Sequence, residues 1–380
     1  MKRYKIVILP GDGAGQEVMA QSERILEVVE NSGLCSFDTE NIPCAGSYYV
    51  EHGQEWPDGS LERCKAADAI MLGAIGHLDA TGKPVRRKDG ELAGYEQVLG
   101  LRMKLDLYAN IRPVRLLPGV HHLISGTFRP VWSPDNVNMT IIRENTEGAY
   151  TPGSFSLQRR EATDTVVSPI VITREGAERV ARQAFQLAEK RSGAPRDGVK
   201  RVTCVDKSNV IRAHRFFRDT FREVAQEFPD IATDFGYVDS FCQSLVREPE
   251  NYDVVVAPNL PGDVITDLAA VLQGGMGMAA SGNCGDDHAM FEPIHGSAPD
   301  RAGKDIVNPI AAILSTSMML SWLGDRSQCS NTSHAGSAIE GAIADALANG
   351  EAKTDDLGGN TKTSEATSAI IRHLEKRLER

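Results

Sequence analysis

The sequence predicts an α/β protein with a largely parallel sheet. Short apolar runs alternate with longer amphipathic stretches along the chain, and strands alternating with helices are the signature of parallel pairing. No internal repeat and no low-complexity tract longer than a loop interrupts that alternation. Ile6-Val7-Ile8-Leu9 reads as a buried strand, and residues 14–31 as a helix with Val18, Ile25 and Val29 on one face, stopped by Gly33. Ala69-Ile70-Met71-Leu72-Gly73 is a second strand, followed by Thr140-Ile141-Ile142, Val202-Thr203-Cys204-Val205 and Val254-Val255-Val256. Thr173 is placed to cap a helix over 174–192, with Ala177, Val180, Ala184, Leu187 and Ala188 inward. Phe217, Phe221, Val224 and Phe228 form another helical stripe, ended by Pro229. Pro309 suits the first turn of a long apolar helix that ends near Trp322. The polar, glycine-rich stretch 76–94 reads as a mobile loop and 117–137 as a second loop, and the tail from 353 turns before a final short helix.

With 380 residues, and domains of roughly 100–200 residues, the chain makes two domains or one with a large insertion. Its 41 Lys and Arg against 52 Asp and Glu leave a net charge of −11. That balance argues against a nucleic-acid backbone or an anionic membrane as the main partner, while local arginines still allow an anionic small molecule. The seven cysteines, at 35, 44, 64, 204, 242, 284 and 329, form no CxxC pair and are odd in number. Reduced thiols in a cytoplasmic protein are expected. The apolar run after Met1 is too short for a secretory signal, and no run approaches the ~18 residues of a membrane span.

Five groups of residues carry candidate chemistry. Gly11-Asp12-Gly13-Ala14-Gly15 follows a strand, but the third glycine of a GxGxxG fingerprint falls on Gln16. Gly82-Lys83 is followed by Pro84, so no phosphate-binding P-loop is present, and the first turn reads as structural. Asp263 and Asp267, four residues apart, share one helix face; they fit either one hard divalent cation or a cap and a solvated charge. Asn259-Leu260-Pro261-Gly262 reads as a turn, placing Asp263 in the first helical turn. Arg102, Arg112 and Arg143 are planar forks suited to carboxylates, or else surface ion-pair partners. Lys207, in Asp206-Lys207-Ser208-Asn209, and Tyr150, after Glu147-Gly148-Ala149, are either proton-transfer groups or edge residues. The stretch Phe291 to Asp300 reads as a loop of free backbone donors suited to a nucleotide, or as a plain turn. His121-His122 reads as solvated surface, and neither HExxH nor GxSxG occurs.

Taken together, five segments resemble the β-decarboxylating 2-hydroxy-acid dehydrogenases that act on isopropylmalate, isocitrate, homoisocitrate, tartrate and D-malate. They are Leu101-Arg102 through Asn110-Ile111-Arg112-Pro113, Arg143-Glu144-Asn145-Thr146-Glu147-Gly148, Asp206-Lys207-Ser208-Asn209-Val210, Gly262-Asp263 through Asp267-Leu268, and His295-Gly296-Ser297-Ala298-Pro299-Asp300. The resemblance runs from Leu9-Pro10-Gly11-Asp12-Gly13 to Asp356-Leu357-Gly358-Gly359, nearly the whole chain.

That resemblance implies a two-domain isopropylmalate dehydrogenase-like fold, not a Rossmann one, in a homodimer with shared active sites. Residues 1–107 with 275–380 would bind cofactor, and 108–274 would bind substrate and metal and form the dimer. Arg102, Arg112 and Arg143 would hold a di- or tricarboxylic 2-hydroxy acid; Asp263 and Asp267, with Asp239 from the other subunit, would bind Mg²⁺ or Mn²⁺ and help hold substrate. Lys207, also from the other subunit, would take the hydroxyl proton, and Tyr150 would supply the last one. Glu292, His295, Gly296, Ser297, Ala298, Asp300 and Asn308 would line NAD, the Asp300 carboxylate opposing a 2′-phosphate. Val98 and Leu99 would face the C3 substituent and welcome a branched alkyl group, as in 3-isopropylmalate. Tyr95 stands where isopropylmalate enzymes usually carry Glu, and Pro261 where an aromatic residue is usual. The Arg143–Gly148 form is commoner in the isocitrate and tartrate branches. Tartrate, D-malate, isocitrate, homoisocitrate and a specialised 3-substituted malate stay open as substrates, and so does a silent regulatory subunit.

Overall fold

A computed structural model describes residues 1–151, 155–159 and 162–379. By contacts the chain divides into two compact units: residues 1–107, 115–134 and 270–380 form the first, and 108–114 with 135–269 the second.

In the first unit five strands lie in the spatial order Ala280–Cys284, Ala289–Pro293, Ala69–Leu72, Lys2–Leu9, Cys35–Asn41. The first two pair antiparallel and the rest parallel, with Ile6 opposite Ala69 and Met290 opposite Ile70. Val7, Leu9, Ile70, Leu72 and Met290 are buried together with Leu101, Leu105 and Leu107, because strands covered on both faces tolerate an apolar residue at every position. The longer helices of this unit are Ala14–Asn31, Ile310–Ser327, Ser330–Ala348 and Thr363–Leu378. Gly11 makes the turn from the first strand into the first helix at φ +73, and a Cβ there would lie 2.3 Å from the Ala74 carbonyl oxygen. Beside it Asp12, fully buried, accepts the backbone N–H groups of Gly46, Ser47 and Gly76. The turn is structural, as its sequence suggests.

In the second unit the strand order is Ala232–Tyr237, Arg201–Asp206, Val254–Ala257, Asn138–Glu144, Ala109–Arg115. The first four are parallel neighbours, with Cys204 opposite Val256 and Val256 opposite Ile142. Helices Arg174–Lys190 and Arg212–Ala225 pack on these strands through Val180, Ala184, Phe185, Phe217 and Phe221. Phe185 stacks on both Phe221 and Phe228. Thr173 caps the first of these helices, its hydroxyl accepting the Gly176 N–H at 3.0 Å.

Several local expectations are corrected. Asn259–Leu272 is helical from Asn259, so the Asn-Leu-Pro-Gly stretch is its first turn and Asp263 lies in the second. Pro261 fits because N–H groups in the first turn have no helical partner to lose. The apolar C-terminal helix starts at Ile310, after Pro309, and runs past Trp322 to Ser327. Phe291–Pro293 is strand rather than loop, and Phe291 is core. His122 is buried rather than solvated: one ring nitrogen bonds the Leu272 carbonyl at 3.0 Å and the other accepts the Val131 N–H. The 76–94 stretch carries its own bridges, Leu78 with Pro84 and Arg86 with Leu92, in place of a featureless loop.

Candidate active site

In the second unit, the helix Asn259–Leu272 presents Asp263 and Asp267 one turn apart, and the strands behind it supply arginines. Arg143, 3% exposed at the end of Asn138–Glu144, donates from Nε to Asn259 Oδ1 at 2.8 Å and from Nη1 to Asp263 Oδ1. Arg112, in Ala109–Arg115, donates to Asn110 Oδ1 and Thr266 Oγ1 at 2.7 Å each and to Asp267 Oδ1 at 3.1 Å. Its Nη2 lies 3.7 Å from Asp263 Oδ1. Tyr150 donates from its hydroxyl to Asp263 Oδ2 at 2.8 Å, and the Arg143 guanidinium lies over its ring at 5.2 Å. The structure therefore gathers Arg112, Arg143, Tyr150, Asp263 and Asp267 into one cluster. Asn259 and Thr266, which sequence reasoning missed, orient the two arginines; for Asn259 the available signal was an Asn at the start of a helix two residues after a strand.

Lys207 and Asp239 form a separate pair in the same unit. Lys207 follows the strand Arg201–Asp206, and its Nζ donates to Asp239 Oδ1 in the first turn of Val238–Arg247. That hydrogen bond, with the attraction of the ammonium, holds the Asp239 carboxyl below its usual range. Around the pair is a cavity of about 370 Å³, lined also by His214, Pro261 and Val264. The Lys207 backbone N–H donates to His214 Nδ1 at 3.0 Å, and burial lowers the His214 pKa. Among the described residues no three acids, histidines or cysteines converge as a metal site. Asp239 is thus not brought to Asp263 and Asp267 within one chain. Glu144 is buried, which raises its pKa, although it accepts the Thr146 and Glu147 N–H groups.

The first unit holds the remaining predicted residues. Arg102 donates from Nη2 to Glu292 Oε1 at 3.0 Å, and Glu292 also accepts from Asn283 at 2.7 Å. The Arg102 Nε is buried with no acceptor. His295 Nδ1 lies 2.9 Å from the Gly296 carbonyl, and its buried Nε2 has no partner. Burial lowers the His295 pKa, so the neutral ring donates from Nδ1 and leaves Nε2 an acceptor. Ser297 donates to the Gly76 carbonyl, Ala298 has φ +38, Asp300 is exposed, and nothing lies within 4 Å of a Cβ built on Gly296. Asn308 donates to Asp356 at 3.1 Å and accepts the Ile310 N–H. Val98 and Leu99 line an apolar cavity of about 410 Å³ with Ile75, Leu78, Val85 and Tyr95.

Residues 5–370 match the family described as isocitrate/isopropylmalate dehydrogenase. The chain is 36% identical to the 3-isopropylmalate dehydrogenase of Archaeoglobus fulgidus, over 98% of this chain and 99% of that protein. It is 35% identical to the decarboxylating D-malate dehydrogenase of Escherichia coli, with the same coverage. The crystal structure of isocitrate dehydrogenase from Methylococcus capsulatus superposes with a TM-score of 0.79 at 32% identity, covering 98% of this chain and 99% of that one. Among the described residues no helix is long and apolar enough to cross a membrane. The chain belongs to the isocitrate/isopropylmalate dehydrogenase family and is a β-decarboxylating dehydrogenase acting on a CH–OH donor.

Proposed function

We propose that this chain carries out NAD-dependent, Mg²⁺- or Mn²⁺-dependent oxidative decarboxylation of a 3-substituted malate of the 3-isopropylmalate kind. The observation that carries the substrate reading is the cavity beside Val98 and Leu99: among the described residues no Lys or Arg lines it and His77 is its one basic side chain, so a carboxylate substituent would lose its hydration there with little counter-charge. The donor sets fit the two bound groups. Asp263 and Asp267 offer oxygen alone, as hard divalent cations require, and the Asp267 side chain is 54% exposed. The orphaned His295 Nε2 and the open space at Gly296 fit a dinucleotide, and the exposed Asp300 carboxylate suits ribose hydroxyls and repels a 2′-phosphate. In this reading the first unit carries the cofactor with Val98, Leu99 and Arg102 of the substrate-holding set, and the second the metal with Arg112 and Arg143.

NAD supplies the hydride acceptor, and the cation polarises substrate oxygens. The chain's own residues do the rest. Arg102, whose Nε lacks an acceptor, and Arg112 and Arg143 hold the carboxylates. Lys207 takes the hydroxyl proton, and Tyr150 returns a proton to C3 after CO₂ leaves. The Arg143 guanidinium, 5.2 Å from the centre of the Tyr150 ring, offsets part of the negative charge then left on the phenol. Lys207 and Asp239 reach the site of a second copy, so the active form is a homodimer; the exposed side chains of Val210, Leu260 and Val264 on this unit suit burial against that copy.

The similarity to a D-malate enzyme favours a second reading, in which the cavity stays partly empty over an unsubstituted malate. The test follows NADH formation with 3-isopropylmalate, isocitrate, homoisocitrate, D-malate and tartrate, with Mn²⁺ and then with EDTA. The proposal expects 3-isopropylmalate to have the highest kcat/KM and EDTA to stop turnover. A higher kcat/KM on D-malate or tartrate selects the second reading, on isocitrate or homoisocitrate it overturns the apolar pocket, and none at all points to a specialised malate or a silent subunit.

A further inference from the structure

A buried carboxylate outside all of these roles sits behind the substituent cavity. The Glu55 side chain is 4% exposed. Its Oε1 accepts the Gly94 N–H at 2.6 Å and its Oε2 the Glu96 N–H at 3.1 Å, while its carbonyl accepts the Ala45 N–H. The two amides that flank Tyr95 are therefore tied to one side chain. The counter-charge is Arg87, whose Nη1 lies 3.6 Å from Glu55 Oε2. Arg87 also pairs with Asp89 at 2.6 Å and sits over the Tyr95 ring at 5.4 Å. Burying a carboxylate is costly unless its oxygens are satisfied, and here two N–H groups and a guanidinium satisfy them.

What the carboxylate holds is the entry to the cavity wall. Gly94 has φ +100, and a Cβ there would lie 2.2 Å from Ile75 Cγ2, itself a lining residue, so the backbone presses directly on the wall. Immediately beyond, Glu96–Gly100 is a turn of π-helix, a widened turn common at functional sites. This turn carries Val98 and Leu99. We infer that Glu55 is a positioning residue for substrate selectivity: through Gly94 and Glu96 it fixes the wall formed by Tyr95, Val98 and Leu99, and so sets how large a C3 substituent is accepted. The inference rests on the proposed reading of Val98 and Leu99 as the residues that face that substituent.

Glu55→Gln tests it, because the amide keeps the shape but turns an NH₂ toward one of the two N–H donors. Amide hydrogen exchange at whichever of Gly94 and Glu96 then faces the NH₂ is expected to rise about tenfold, the equivalent of one net hydrogen bond. The KM for 3-isopropylmalate is expected to rise about fivefold with kcat held within about twofold, while the KM values for D-malate and NAD stay unchanged. Arg87→Ala, which leaves the carboxylate in place, is expected to shift the same quantities in the same direction by less, and serves if Glu55→Gln does not fold. Unchanged exchange at Gly94 and Glu96 overturns the inference. So does an equal loss on 3-isopropylmalate and D-malate, which is what general loosening would produce. Leu99→Arg separates the two layers: it is expected to lower kcat/KM for 3-isopropylmalate far more than for D-malate. If Leu99→Arg changes the preference and Glu55→Gln does not, the positioning role fails alone. If Leu99→Arg changes nothing, the reading of the wall fails, and the selectivity role of Glu55 falls with it.

Discussion

The predicted site residues of the two units find their partners to different degrees. In the second, the acids and arginines answer one another: Asp263 takes hydrogen bonds from Arg143 and Tyr150, and Asp267 from Arg112. In the first, buried groups are left waiting: Arg102 Nε lacks an acceptor and His295 Nε2 lacks a donor. A self-paired cluster contributes to stability as well as to chemistry. An orphaned buried group costs stability until something outside the chain completes it.

The largest expected effects fall on the self-paired side. Lys207→Ala should lower kcat by about 10²–10⁴-fold, the range for losing a proton-transfer group, and Asp263→Asn, which removes a carboxylate proposed to hold the cation, should lower it by about as much, with normal turnover in either variant refuting its role. Next comes a pair of arginine changes. Arg143→Lys loses the bonds to Asn259 and Asp263 and should cost both activity and about 1–3 kcal/mol of stability. Arg102→Lys should raise the substrate KM about tenfold and disturb the single Nη2 bond to Glu292, at a smaller cost in stability than Arg143→Lys because its buried Nε has no acceptor in the chain to lose. Equal destabilisation by the two would erase the contrast. Smaller still, Thr173→Ala removes a cap from the second unit and should cost about 1 kcal/mol in a denaturant melt without touching turnover.

The smallest effect is a pH slope. Burial lowers the His214 pKa below 6.5, so as pH falls below that value the unfolded chain binds the proton first. His214 therefore subtracts stability on the acid side, and the loss grows as pH falls toward the folded-state pKa. Protonation would also oppose the Lys207 N–H donating to Nδ1. His214→Gln should flatten the decline in stability between about pH 7 and 5 relative to wild type; an identical slope in both proteins would contradict this.

Much of the fold was legible because the signals were local. The apolar strands, the Thr173 cap and the phenylalanine stripe each announce themselves within a few residues. What stayed hidden depends on partners far along the chain. Ser330–Ala348 is rich in Ala, Gly and Ser, which pack helices closely but carry little hydrophobic periodicity, and Ala280–Cys284 is strand despite its small and polar residues. His122 looks like surface until Leu272 and Val131 supply its hydrogen bonds. The candidate site residues were legible as types and spacings, whereas their pairing was not. Nothing near Asp263 in sequence indicates that Arg143 and Tyr150 share its carboxylate, and nothing near Glu55 points to Gly94 and Glu96.

The stoichiometry of NADH and CO₂, measured on one sample with Mn²⁺ present, removed and restored, tests the central claim most directly. The account predicts one CO₂ per NADH, both lost when the metal is stripped and both recovered when Mn²⁺ is returned. NADH produced at full rate without metal, or produced without CO₂, would contradict it.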